Sequence, residues 1–174
     1  IGTLFAAPFL FKEQIKAKIA QAINEKVDAK VSFAEADLSL FTDFPHANVT
    51  IEKLVIINKA PFEGDTLVSL GELNLKMSIK ELFKGKEETM NIDGISSKNG
   101  LINIIFNKDG LGNYDIALKN DKTKNDGKSN PLSLKIQEYK IENFQFRYFD
   151  EKSKIKMTID SLNHEGTGDF AAQK

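Results

Sequence analysis

The sequence predicts an α+β protein that is mainly β: one N-terminal amphipathic helix packed on a long-stranded, kinked, curled antiparallel sheet. Three observations carry that class. One apolar pattern recurs along the chain, with two apolar residues at alternate positions, a polar pair, then two more alternate apolar residues. Ahead of the first copy, Ile15, Ile19, Ile23 and Val27 recur every fourth residue, the spacing of a helix stripe. Between copies stand turn formers such as Asn107-Lys108-Asp109-Gly110.

The pattern is clearest between Phe44 and Leu75. Val49 and Ile51, then Glu52-Lys53, then Leu54 and Ile56 form one copy; Val68 and Leu70, then Gly71-Glu72, then Leu73 and Leu75 form the next. In a regular strand, strict alternation would place the two halves of a copy on opposite faces. A bulge at the polar pair adds one residue and returns the second half to the first face. Val31, Phe33, Ala36 and Leu38 fit the pattern around Ala34-Glu35, and Tyr139, Ile141, Phe144 and Phe146 fit it around Glu142-Asn143. Met157, Ile159 and Leu162 fit it around Asp160-Ser161, with His164 in the last slot. Met90, Ile92 and Ile95 are read around Asp93-Gly94, with Ser97 breaking the fourth position. The competing reading is an ordinary antiparallel sheet with accidental phase slips.

In chain order, Ile1 to Phe11 carries no charge and is too short to span a bilayer, which takes about 20 apolar residues. It reads either as the end of a membrane anchor or as an N-terminal segment. Residues 12–174 read as a single β domain, truncated at its C-terminal end. The helix covers Phe9 to about Val27, with Pro8 suited to its start. Strands are expected over Lys30–Phe41, Ala47–Ile57, Thr66–Ile79, Glu88–Ser96, Gly100–Phe106, Leu132–Phe149 and Lys154–His164. Asn58 to Asp65 is a loop, Lys80 to Gly85 a helical turn, and Asn113 to Leu118 an ambiguous segment that fits a short helix. Residues 119–130, KNDKTKNDGKSN, hold no large apolar side chain and read as a flexible loop.

Composition narrows the function. The 174 residues carry a net charge of -1, which gives nucleic-acid binding no electrostatic support. Arg147 is the only arginine, so bidentate phosphate or carboxylate clamps are scarce. There is no cysteine, which excludes disulfides, thiol catalysis and Cys-ligated metal. The two histidines, His46 and His164, lie far apart in the sequence and read as turn or strand-end residues. No nucleophile-elbow, zinc-helix or phosphate-loop motif is present. The expectation is a protein that is not an enzyme and needs no cofactor or metal.

Six kinked strands put about two dozen apolar side chains on one face. One helix covers a swath only about 10 Å wide. The remainder must be buried by curling into a sandwich or partial barrel, by further chain, or by an apolar ligand such as acyl chains. The bulky residues of the repeated face are the lipid-contacting candidates: Phe33, Leu38, Ile51, Ile56, Leu70, Leu75, Ile141, Phe144 and Phe146.

Several of these segments together resemble the N-terminal region of the AsmA family. They are the helix, Leu38-Ser39-Leu40-Phe41 before Asp43-Phe44-Pro45, then NKAPFEGDTLVSL and NKDGLGNYDI. The likeness spans about Phe9 to Leu118 and rests on Pro45, Ala60-Pro61-Phe62, Asp65-Thr66-Leu67, and Asp109-Gly110 followed by Asn113. Tyr114 stands where family members often carry Trp. The resemblance implies a Gram-negative envelope protein, anchored in the inner membrane by one upstream helix and projecting into the periplasm. It also implies kinship with TamB and the bridge-like lipid-transfer proteins, whose curled β-sheet grooves are thought to carry phospholipids in outer-membrane biogenesis. The family has no settled catalytic residues, so none is carried over. The other expectation is a periplasmic structural or interaction module without lipid binding.

Overall fold

A computed structural model describes residues 17, 27–40, 44–83, 91–116 and 136–168 of the chain. The described strands form one open sheet: β1 (Ala29–Ser32), β2 (Glu35–Ser39), β3 (His46–Asn58), β4 (Thr66–Ser78), β5 (Gly94–Phe106), β6 (Glu138–Asp150) and β7 (Ile155–Thr167). The order across the sheet is β1-β3-β4-β5-β6-β7, with β2 also paired to β3. Because β1 and β2 continue one register along β3, from Ala29↔Asn58 to Ser39↔Asn48, they are two halves of one broken edge strand. The expected loop at Asn58 to Asp65 is present, with Gly64 at φ 88° and Phe62 buried beneath it. The helical turn is a short 3-10 helix, Ile79–Phe83.

The kinks are real, and their mechanism is simple. Lys53, Asn99, Asn143 and Ser161 each take a left-handed backbone, with φ between 53° and 54°. One such residue per strand shifts the alternation by one, so the apolar side chains resume on the face they left. In β3, Val49 and Ile51 are buried, Glu52 and Lys53 are exposed, and Leu54 is buried again. Gly71 lies at the matching place in β4, between the pairs Glu52↔Glu72 and Leu54↔Leu70, without a positive φ. Ala34, in the break between β1 and β2, donates its N–H to the Glu52 carbonyl at 2.9 Å. The kinks thus line up across the sheet as one polar row. Asn143 Nδ2 donates to Asn99 Oδ1 at 2.7 Å, and Asn163 Oδ1 accepts from the Asn143 N–H at 2.9 Å. The second bond satisfies a backbone N–H that the kinked ladder leaves over, and the first ties two kink side chains together.

Three expectations change. The sheet is mixed, not antiparallel, because β5 and β6 run parallel from Gly94↔Glu138 to Phe106↔Asp150. The two strands expected at Glu88–Ser96 and Gly100–Phe106 are one 13-residue strand, β5, whose kink lies at Lys98-Asn99 and not at Asp93-Gly94. The second change causes the first: one long strand in place of a hairpin ends at the far edge, and the chain must cross back before β6 begins. Residues Asn113 to Ile116 are not helical; they fold over the end of the sheet. There Asn113 is buried. Its Oδ1 accepts from the Ile105 N–H (2.9 Å), its Nδ2 donates to the Asn103 carbonyl (2.8 Å), and its carbonyl accepts from Asn58 Nδ2 (2.6 Å). The single sheet itself is as expected: among the described strands no second sheet packs on it. The expected helix over Phe9–Val27, the segment at 1–11 and the loop at 119–130 lie outside the described residues, apart from Ala17, which is helical, and Val27.

Candidate apolar binding face

Cross-strand partners point to the same face of a sheet, so the register assembles the candidate site row by row. On one side of the kink line run Leu38, Val49, Leu75, Ile95 and Tyr139, then Ala36, Ile51, Leu73, Ser97, Ile141 and His164. On the other side run Leu54, Leu70, Gly100, Phe144 and Leu162, then Val31, Ile56, Val68, Ile102, Phe146 and Ile159. Leu38, Ile51, Ile56, Leu70, Leu75, Ile141, Phe144 and Phe146 therefore share one face. The ninth candidate, Phe33, packs against the same cluster from the break between β1 and β2.

These residues are not equally available. Ile51, Leu70 and Phe144 are 1%, 8% and 2% exposed and belong to the packed core with Ala47, Val49, Leu54 and Met77. They act as core here, not as an open lining. Phe33, Leu38, Ile56, Leu75, Ile141 and Phe146 are half-buried. The Phe144 ring lies over Gly100, where an added Cβ would come within 2.3 Å of Cζ. Gly100 is therefore the space that holds the ring.

Toward β7 the same face opens. Ile155, Met157 and Ile159 are 57%, 45% and 40% exposed. Beside them Tyr148 pairs with Met157, and Phe146 with Ile159. Phe106 contacts both Tyr148 and Tyr114 through its ring. The β7 residues fit the repeated pattern but are not among the nine candidates, because a pattern shows which face a residue joins and not how deeply it is covered.

Polar groups rim this face. The Tyr139 hydroxyl and His164 Nδ1 are 2.8 Å apart, their rings stacked with centroids separated by 5.6 Å. His46 lies elsewhere, 3.8 Å from Asp93, so the fold does not bring the two histidines together. The opposite face of the sheet is polar around the kink line and holds an open hollow of about 550 Å³ between Asn48, Ser96, Lys140 and Glu165. Near it, the Lys140 ammonium holds the Glu142 carboxyl below its usual range and is itself held protonated by Glu142, at 2.8 Å. At the β6–β7 turn, N–H donation from Ser153 and Lys152 lowers the Asp150 pKa. Among the described residues no cluster of three His, Asp or Glu side chains could hold a metal ion, and no helix is long and apolar enough to cross a membrane.

Comparison with family models, with curated proteins and with solved structures finds no match.

Proposed function

We propose that the chain is a non-enzymatic module of the AsmA type that holds phospholipid acyl chains on its apolar face. It would stand at the periplasmic side of the inner membrane, tethered through an upstream helix, as the membrane-proximal start of a groove serving outer-membrane biogenesis. One observation carries the reading: a single apolar face crosses the long strands without a break at the kink line, and it is left open at β7. A protein that only needed a core would gain nothing from keeping Ile155, Met157 and Ile159 on that face in water, where each costs free energy. In this reading acyl chains lie along Phe146, Ile159, Met157 and Tyr148, and head groups meet the polar rim. The sheet curls around the bound chains.

The second reading is the structural or interaction module. The deep burial of Ile51, Leu70 and Phe144 favours it, since that part of the face is already filled. Native mass spectrometry with lipid extraction separates the two. Co-purified phospholipid that is lost in Phe146→Asp/Ile159→Asp, while that variant keeps its circular dichroism spectrum, supports the groove. A lipid-free parent chain that takes up no fluorescent phospholipid refutes it and leaves the interaction module.

A further inference from the structure

In the four rows of the apolar face given above, His164 is the one basic residue, and no residue is acidic. Leu38, Ile56, Leu75 and Phe146 fill the slot of the repeated pattern that His164 takes in β7. Its ring is held in place. The Tyr139 and His164 rings lie within 10° of parallel, and the Tyr139 hydroxyl is 2.8 Å from His164 Nδ1. Gly166 makes room for the stack: an added Cβ would come within 2.6 Å of Tyr139 Cε1 and 3.1 Å of its hydroxyl oxygen. A strand added beyond β7 would widen the sheet sideways and leave both rings on this face.

Along β7 the same face carries Ile155, Met157, Ile159, Leu162 and then His164. The apolar part, from Ile155 to Leu162, is about 23 Å long. One leaflet of a bilayer is about 15 Å deep in hydrocarbon, half of the full core, so this file is long enough for an acyl chain. Its two ends differ. Asp150 pairs with Ile155 at the turn, and N–H donation from Ser153 and Lys152 holds its carboxyl below the usual range, so an anion is repelled there. At the His164 end the carboxylates are turned away or engaged. Glu165 alternates onto the polar face, Glu142 is held there by Lys140 at 2.8 Å, and Asp93 lies 3.8 Å from His46.

We infer, resting on the lipid face proposed above, that His164, positioned by Tyr139, receives the phosphate of a phospholipid whose acyl chain lies along Leu162, Ile159, Met157 and Ile155. With the Tyr139 hydroxyl donating to Nδ1, the ring proton is on Nε2, on the far side of the ring, where it donates to a phosphate oxygen. The stack fixes the ring before the lipid arrives, so little side-chain freedom is lost on binding. The phosphodiester is common to phospholipids of different head group, so His164 reads the class and the orientation of the lipid, with the phosphate at the His164 end of the file.

The chain has only two histidines, and His46 lies elsewhere, so its ring signals in an NMR spectrum are an internal control for those of His164. The probe is a short-chain phosphatidylglycerol below its micelle concentration. It should shift the His164 ring signals and the Ile159 and Leu162 methyl signals and leave His46 unmoved. His164→Phe keeps a ring beside Tyr139 and removes the donor. It should weaken binding about tenfold, with no change for a diacylglycerol of the same chains, which has no phosphate. Methyl shifts with a silent His164, or undiminished binding by His164→Phe, overturn the inference and leave the lipid face standing. A His164 shift of the same size with glycerol phosphate alone means a site for free phosphate esters and overturns it as well. So does a loss in Lys152→Gln/Lys154→Gln in place of His164→Phe, which puts the head group at the turn. No shift at any of these residues overturns the inference and the lipid face together.

Discussion

Replacing Gly100 with Ala tests whether the core is built as described. The added Cβ would lie 2.3, 2.4 and 2.7 Å from three atoms of the Phe144 ring. Carbon atoms in contact prefer about 3.5–4.0 Å, so the ring must retreat by roughly 1 Å or more. Phe144 is buried in the central cluster, beside Leu70 and Leu54, where neighbours have little room to yield. Overpacking of this kind costs about 1–3 kcal/mol. Removing a glycine from a strand returns about 0.5–1 kcal/mol. The net loss should be about 1–2 kcal/mol, which for a chain of this size lowers Tm by roughly 3–6 °C. The decisive measurement is the double-mutant cycle by urea unfolding. Phe144→Ala alone should cost about 3–5 kcal/mol. In that background Gly100→Ala meets no ring and should be neutral or slightly stabilising, giving a coupling of about 2 kcal/mol. An equal loss in both backgrounds would refute the account, because the damage would then come from the backbone and not from the ring.

Other outcomes follow from the same geometry. Asn113→Ala removes the partners of the Ile105 N–H, the Asn103 carbonyl and the Asn58 amide, and should lower unfolding stability by about 3 kcal/mol or more; a loss under about 1 kcal/mol would mean that the end plug is not packed. Lys53, at φ 53°, should accept Gly with little change, whereas Lys53→Val should cost about 1–2 kcal/mol in the same assay. Glu35, Glu52 and Glu72 are direct cross-strand partners, so Glu52→Lys should stabilise by about 0.5 kcal/mol, with the gain shrinking as salt is added. The Asp150 pKa is lower in the folded chain than in the unfolded one. Its contribution is therefore complete above the unfolded value and is lost as pH falls through the folded value. The stability curves of the parent and Asp150→Asn should converge at the acid end and separate above the ordinary Asp range; curves that stay parallel in pH would rule out this linkage.

The dipeptides Glu52-Lys53, Glu142-Asn143 and Asp160-Ser161 show from sequence where strands slip phase, because a period-2 pattern that skips one residue and then resumes needs one residue to leave the pleat. The kink of β5 is hidden for a physical reason. Its apolar face there is Ser97 and Gly100, both small, and Gly100 makes room for Phe144 from the next strand. A kink flanked by small residues reads as a turn, so the pattern divides one strand into two and loses the parallel pairing with it. The nine face residues are legible as a set, since the register shares out what periodicity assigns. Their exposure is not, because burial depends on what lies above a face. Asn113 is legible only as a turn-following residue; its partners Asn58 and Asn103 come from two other strands, and no local pattern reports them.

The order of residues at each kink also explains the strand directions. In β3, β5, β6 and β7 the polar-face residue comes before the kinked one, as in Glu52-Lys53, Lys98-Asn99, Glu142-Asn143 and Asp160-Ser161. In β4 the order is reversed, as Gly71-Glu72. Antiparallel neighbours keep both kink and facing aligned only when their orders are opposite, and β3–β4 and β4–β5 do so with Glu52↔Glu72 and Glu72↔Lys98 in step. Parallel neighbours need the same order, and β5–β6 satisfies this with a constant offset from Lys98↔Glu142 to Leu101↔Gln145. β6–β7 is antiparallel with the same order on both strands, so one of the two alignments has to give. The pair holds its facing and the same register on both sides, Ile141↔His164 and Phe146↔Ile159, and is locally shifted only at Phe144↔Leu162, so the two kinks do not lie opposite each other. Facing prevails because losing it would turn half of an apolar strand toward water, whereas a local shift costs only a few ladder bonds, and the Asn163 side chain replaces one of them. Reversing the order in β7, by the double substitution Asp160→Gly/Ser161→Asp, should therefore remove the shift. The chemical shifts of residues 141–146 would report it, and a pairing that kept its irregularity would show that order does not govern direction.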